Sequence, residues 1–261
     1  MNAYRCSLLS VCLTACPLLN ATLIPVSGVI SRSATGGAAY GGSGQPYSNQ
    51  ESAASPFSSF DGSVNGSATW TVANPPAPAF PGYKWTGTAT SSASQSGAFT
   101  SSGFSLNGAL ATSVSSGNAG VNTSANARYT FDIVFDLDAP VYYSMNLVET
   151  AAHGHGFPSH APDFSFSSMT TGTTLLSSNA GTMGFSWGYS GTGILEPGKY
   201  RFYYDVTAGV LNDPLGDFEQ HTSQLSFSST ERVPDSGSTA FLFASAIAVV
   251  GAFLRFRRDH S

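Results

Sequence analysis

The sequence predicts an all-β protein: an antiparallel β-sandwich of jelly-roll or Greek-key type, followed by a single C-terminal transmembrane helix. Three observations lead there. Apolar residues in the central chain recur with a period of two, most clearly at Tyr129, Phe131, Ile133 and Phe135, with Thr130, Asp132 and Asp136 between them. Gly, Ser and Pro separate these short runs, and no segment between them shows capped helical periodicity. Charged residues make up 10% of the chain, against about a quarter in an average soluble domain. Ser, Thr, Gly and Ala replace them, a composition that suits a hydroxyl-solvated sheet.

Residues 1–21 read as a signal peptide: Arg5 is followed by a short apolar run from Cys6 to Leu19. Cleavage is expected near Ala21. Leu13-Thr14-Ala15-Cys16 is also similar to a bacterial lipobox, in which Cys16 would carry a lipid. Residues 22–52 hold Gly36-Gly37, Gly41-Gly42 and Gly44 among Ser and Ala. They read as a flexible segment with too few apolar groups to offset the entropy of ordering.

The sandwich is expected over residues 53–230. Ser67–Val72 alternates around Trp70 and Val72, and Ala98-Phe99 and Phe104–Leu106 form short strands. Between them Pro75, Pro76, Pro78 and Pro81 impose an extended loop. Tyr129–Asp136 turns at Asp138-Ala139-Pro140 into Val141–Val148. Phe164–Ser168, Met183–Tyr189, Lys199–Ala208 and Gln224–Ser228 continue the series. Leu195-Glu196-Pro197-Gly198-Lys199-Tyr200 is similar to the tyrosine corner of Greek-key sandwiches, in which the Tyr200 hydroxyl bonds back to a nearby carbonyl.

All three cysteines, Cys6, Cys12 and Cys16, lie in the signal region, so the rest of the chain has no disulfide framework and no thiol nucleophile. Between residues 22 and 231 thirteen acidic residues face five basic ones. That balance disfavours nucleic acid and anionic membrane surfaces as partners.

The C-terminal segment has three parts: Val233-Pro234-Asp235-Ser236-Gly237-Ser238-Thr239, an uncharged apolar run from Ala240 to Leu254, and Arg255, Arg257 and Arg258. As a helix the apolar run spans about 22 Å, short of a hydrocarbon core of about 30 Å. Thr239 and the Arg255 stem extend it by snorkelling. The arginines form a basic stop that the positive-inside rule places in the cytoplasm. This order resembles the VPDSG variant of the PEP-CTERM sorting signal over residues 233–258.

The resemblance implies a bacterial protein exported by general secretion and then recognised by a membrane-embedded exosortase. Val233, Pro234, Asp235, Ser236 and Gly237 would be substrate residues of that enzyme. It also implies anchoring in the cytoplasmic membrane before processing, then a place on the cell surface or in the extracellular matrix. The body, from Pro56-Phe57-Ser58-Ser59 through the Asp-Ala-Pro turn to the tyrosine corner, is similar to ectodomains found upstream of such signals, which adds a fold and no activity.

Within the body, His153, His155 and His160 lie within eight residues and form a candidate zinc or copper set. Their Gly- and Pro-rich surroundings suit a solvated loop equally well. Asp213, Asp217 and Glu219 are candidate calcium ligands, in a run that also suits a plain turn. No cofactor is expected, structural calcium apart.

Asp132 and Asp136 fall on the wet face of their strand, and no Gly-x-Ser-x-Gly elbow is present. The expectation is therefore a non-enzymatic, structural or adhesive surface protein. The alternative is a lectin-like module for extracellular polysaccharide, stacking sugars on Trp70, Trp85, Trp187, Tyr142, Tyr143, Tyr189, Tyr203 or Tyr204. A metal-dependent enzyme is a third reading.

Overall fold

The computed structural model describes residues 21–52, 57–72, 84–116, 121–154, 162–178, 186–211 and 216–231. Twelve strands occupy almost all of them: β1 (Leu23–Tyr40), β2 (Ser43–Ser52), β3 (Phe60–Val72), β4 (Trp85–Thr100), β5 (Gly103–Ser116), β6 (Asn122–Leu137), β7 (Val141–His153), β8 (Asp163–Ser168), β9 (Thr173–Ser177), β10 (Ser186–Leu195), β11 (Gly198–Leu211) and β12 (Asp217–Glu231). They form two six-stranded sheets, ordered β2-β1-β6-β11-β8-β9 and β10-β7-β12-β5-β4-β3. The pairings are antiparallel.

The alternation read at Tyr129–Asp136 is the burial pattern of β6: Tyr129, Phe131, Ile133 and Phe135 are fully buried, and the residues between them are partly exposed. The predicted strands at 67–72, 98–99, 104–106, 141–148, 164–168, 199–208 and 224–228 all lie within observed strands. Of the run 183–189, residues 186–189 lie in β10 and the rest fall outside the described residues. The signal peptide, the sorting motif with its basic stop and the predicted helix at 240–254 also fall outside them. Among the described residues no helix is long and apolar enough to cross a membrane.

The structure corrects the reading of residues 22–52 as flexible. β1 and β2 form a hairpin there, and β1 sits between β2 and β6 along its length. Gly41 and Gly42 take φ of 59° and 84° between the paired residues Tyr40 and Ser43. This is the type I′ geometry that two glycines favour in a two-residue hairpin. Low apolar content is no obstacle, because β1 pairs with β6 and two large side chains of the segment fill slots left by glycines of β1 and β3. Tyr47 on β2 inserts its ring against Gly36 and Gly66, where a Cβ would collide with it, and donates to Ser91 Oγ at 3.0 Å. Arg32, 2% exposed, occupies the slot left by Gly62 and donates to the Gln95 carbonyl at 3.1 Å. β9 was also unforeseen; its five residues alternate too weakly to read.

The core is aromatic. Phe104 stacks on Phe227 at 4.8 Å and packs on Phe202 of the opposite sheet at 5.3 Å, with Phe131 and Phe135 at 5.8 and 6.0 Å. The predicted tyrosine corner is present: Tyr200 Oη donates to the Glu196 carbonyl at 2.7 Å.

Gly66→Ala is expected to lower unfolding free energy by about 1–3 kcal/mol, the usual cost of overpacking. Gly188→Ala should change it little, since the nearest atom to its Cβ would be 3.6 Å away. Urea unfolding followed by tryptophan fluorescence measures both; equal effects would refute the slot account.

Candidate functional site

The inner face of β12 changes character along its length. Phe227 and Leu225 point into the aromatic core, and the same face then presents Ser223, His221 and Glu219, all at most 2% exposed. β7 does likewise, passing from Met145 and Leu147 to Glu149. From the opposite sheet β6 supplies Tyr129 and β11 supplies Tyr204. Strand alternation thus brings six polar side chains from four strands into the gap between the sheets.

His221 is the hub. Its Nδ1 lies 2.7 Å from Glu149 Oε1 and its Nε2 3.1 Å from Glu219 Oε1. Glu219 also accepts from the Gly209 amide at 2.6 Å, tying β12 to β11. The second Glu149 oxygen accepts from the Tyr204 hydroxyl and, at 3.3 Å, from Ser223 Oγ. Tyr129 donates to Ser223, and Tyr204 Oη lies 2.8 Å from the same oxygen. Ser223 pairs with Gly108 on β5, whose missing Cβ leaves room for the Tyr129 ring.

Burial alone would pull the His221 pKa down. The hydrogen bonds and charges of Glu149 and Glu219 outweigh it and raise the pKa to about 9. At neutral pH the ring is therefore an imidazolium with both N–H groups donating. Burial, reinforced by neighbouring negative charge, raises both Tyr129 and Tyr204, so both phenols stay protonated. Chemically the cluster holds protons in place: each nitrogen of His221 is committed to a carboxylate. As a strut it joins β6, β7, β11 and β12 across the sandwich.

The sequence candidates are distributed differently. His153 ends β7, half-buried, and His155 and His160 lie outside the described residues. Asp217 and Glu219 share one face of β12, Glu219 being engaged by His221 and Gly209, and Asp213 lies outside the described residues. Among the described residues no group of three or more His, Cys, Asp or Glu side chains is arranged to hold a metal ion.

Asp132 and Asp136 lie on the outer face of β6, and Asp132 pairs with Arg201 at 2.7 Å. Sequence reasoning missed His221. Its signal was available: stepping back by two from Phe227 and Leu225 lands on Ser223, His221 and Glu219.

Of the candidate stacking aromatics, Tyr204 belongs to the buried cluster, and Tyr143, Trp187 and Tyr189 pack on the core. Trp70 and Trp85 pack with Val72 and Tyr47 against Ala38, Ala68 and Val121. Tyr203 lies under the Arg201 guanidinium at 5.5 Å on the outer face of its sheet. Tyr142 is 43% exposed and lines a groove of about 430 Å³ with Ser144, Thr192, Ile194, Ser228 and Thr230.

Residues 232–257 match the VPDSG-CTERM motif. No curated protein and no solved structure matches the chain.

Because the folded pKa of His221 exceeds its usual 6.5, its stabilising contribution is complete below about pH 6.5 and is lost as pH rises through 9. The contribution is on the order of 3 kcal/mol. Denaturation free energies between pH 6.5 and 9 should fall accordingly in the wild type. His221→Gln should flatten that slope. Glu149→Ala should cost about 1–3 kcal/mol, because His221 keeps Glu219 as its counter-charge while its Nδ1–H and the Tyr204 hydroxyl lose their buried acceptor. A wild-type profile without the slope would refute the charged-imidazole assignment.

Proposed function

We propose that this chain, whose residues 232–257 carry the VPDSG-CTERM motif, is the precursor of an exported surface or matrix protein sorted by an exosortase. The motif carries this reading. Its Val-Pro-Asp-Ser-Gly run, the apolar Ala240–Leu254 segment and the arginines at 255, 257 and 258 stand in the order that presents a recognition site outside the membrane and a stop inside it. The partners are the exosortase and, before processing, the cytoplasmic membrane. The final location is the cell surface or the extracellular matrix.

The sandwich, of jelly-roll or Greek-key kind, serves as a non-catalytic structural or adhesive body. The sealed cluster around His221 supports this role. Its polar atoms are saturated by one another, as suits a strut that must hold a domain together with no cysteine after Cys16.

Expression in the native host with and without residues 232–261 tests the sorting reading. The full chain is expected in the surface or matrix fraction, and the truncated chain is expected to be released or retained elsewhere. Identical fractionation of the two would refute it.

One observation favours a second reading, a carbohydrate-binding module. Tyr142 stands exposed in an uncharged groove rimmed by four hydroxyl side chains, the chemistry that stacks and hydrogen-bonds a neutral sugar. Affinity electrophoresis in gels containing neutral polysaccharides should then retard the protein, and Tyr142→Ala should abolish the retardation.

A further inference from the structure

The outer edges of the two sheets are not alike. β2 carries Pro46 and Glu51, and β9 is only five residues long. β1 extends beyond β2, and its unaccompanied stretch Leu23–Ile30 carries Pro25 and a register shift between Pro25 and Ser27. β3 is overlaid by β2: Asn49 donates to the Asn65 carbonyl, and the Tyr47 ring lies against Gly66. Short length, proline, charge, bulges and covering segments are the devices that keep a strand edge from pairing with another chain.

Among the described residues β10 shows none of them. Ser186–Leu195 is ten residues long, with no proline and no charge, and it pairs with β7 alone among the described strands.

Its surroundings are neutral too. The outward side chains of β10 are Ser186, Ser190, Thr192 and Ile194, with Gly188. Those beside them on β7 are Tyr142, Ser144, Asn146, Val148 and Thr150. On a chain of net charge −5, a second copy is repelled wherever acidic groups meet, and this two-strand band offers it an uncharged approach. The inner side of β10 is also unfinished. Trp187 and Tyr189 pack on the core yet remain half-buried, and the glycines at 191 and 193 leave the space into which the Tyr189 and Tyr143 rings lean.

We propose that β10 is a self-association edge, pairing antiparallel with β10 of a second copy about a two-fold axis at Gly191. That register places Tyr189 of one copy across from Gly193 of the other, Trp187 across from Leu195, and Ser190 across from Thr192. Residues directly opposite point to the same side of the joined sheet. The six-stranded sheet thus becomes a continuous twelve-stranded one, and each half-buried aromatic meets a glycine or an aliphatic partner. The interface is isologous and closes as a dimer.

The test uses the full chain in mild detergent, with mass measured by sedimentation and light scattering over a concentration series. The wild type should dimerise. Ser190→Lys combined with Thr192→Lys sets like charges across the axis on two solvent-exposed positions. It should weaken dimerisation at least about tenfold and leave the circular dichroism spectrum unchanged.

With Cys6, Cys12 and Cys16 replaced by Ser, a second variant, Ser190→Cys with Thr192→Cys, should form an inter-copy disulfide on oxidation, and Ser226→Cys on the exposed face of β12 should not. A monomeric wild type would overturn the proposal, and so would a dimer that survives the lysines. Hydrogen-exchange protection, in a monomer, of the alternate β10 amides that point away from β7 would also overturn it, by assigning the edge to a segment of the same chain.

Discussion

Phe104 stands where the two sheets meet, in contact with Phe99 and Phe227 of its own sheet and with Phe131, Phe135 and Phe202 of the other. The rest of the molecule is arranged around the need to fill that gap without a covalent cross-link. Phenylalanine suits the task because each ring buries a large apolar area at the cost of few rotatable bonds. Tilted and stacked contacts of 6.0–6.4 Å run from Phe99 through Phe104 and Phe135 to Phe166. Large rings on one strand require small residues on another. The glycines are therefore concentrated where an aromatic side chain from elsewhere lies over the backbone: Tyr47 over Gly66, Phe60 against Gly97, Tyr129 over Gly108.

The polar cluster extends the same gap with different chemistry. An apolar contact tolerates sliding by a fraction of a residue, but a charged imidazole held at both nitrogens does not. A one-residue slip of β12 would turn Glu219, His221 and Ser223 outward and bring Phe218, Gln220 and Thr222 into the core. The Glu149–His221–Glu219 arrangement thus sets the register of β12 against β7 and, through Tyr204, Tyr129 and Gly209, against the opposite sheet. Desolvating three ionisable groups offsets much of what the network contributes, so its value lies in specificity as much as in net stability. A sandwich with no cysteine after Cys16, and so no disulfide to guide its pairing, gains from such a register lock.

The outer faces carry the solvated side chains. Arg201 with Asp132, and Arg128 with Asp205, form two-pronged ion pairs across β6 and β11. These exposed pairs contribute little to stability, but they give that face of the molecule a charged character. Among the described residues the β7–β10 face carries no such pair, and its groove lies beside the β10 edge of the sheet. The motif match lies at residues 232–257, outside the sandwich strands, so this neutral face belongs to the body alone.

Much of the fold was legible. The pleat sends successive side chains to opposite faces, so alternation in β6, β7, β8, β11 and β12 could be read directly, and the Leu-x-Pro-Gly-x-Tyr run located the corner closed by Tyr200. The sorting motif was legible for a related reason: it is read as a linear segment by its own recognition chemistry. Residues 22–52 were misread because what orders them lies outside them: β6 pairs with β1 along its length, and the slots at Gly62 and Gly66 of β3 receive Arg32 and Tyr47, neither of which the composition of the segment shows. The sequence alone therefore determined the local period, the class of fold and the tail. Tertiary structure decided which strands became neighbours, that Glu149 and His221, far apart in the chain, share a proton-bearing contact, and that β10 was left at an edge. These are consequences of non-local pairing, and no local pattern of side chains encodes which strand lies beside which.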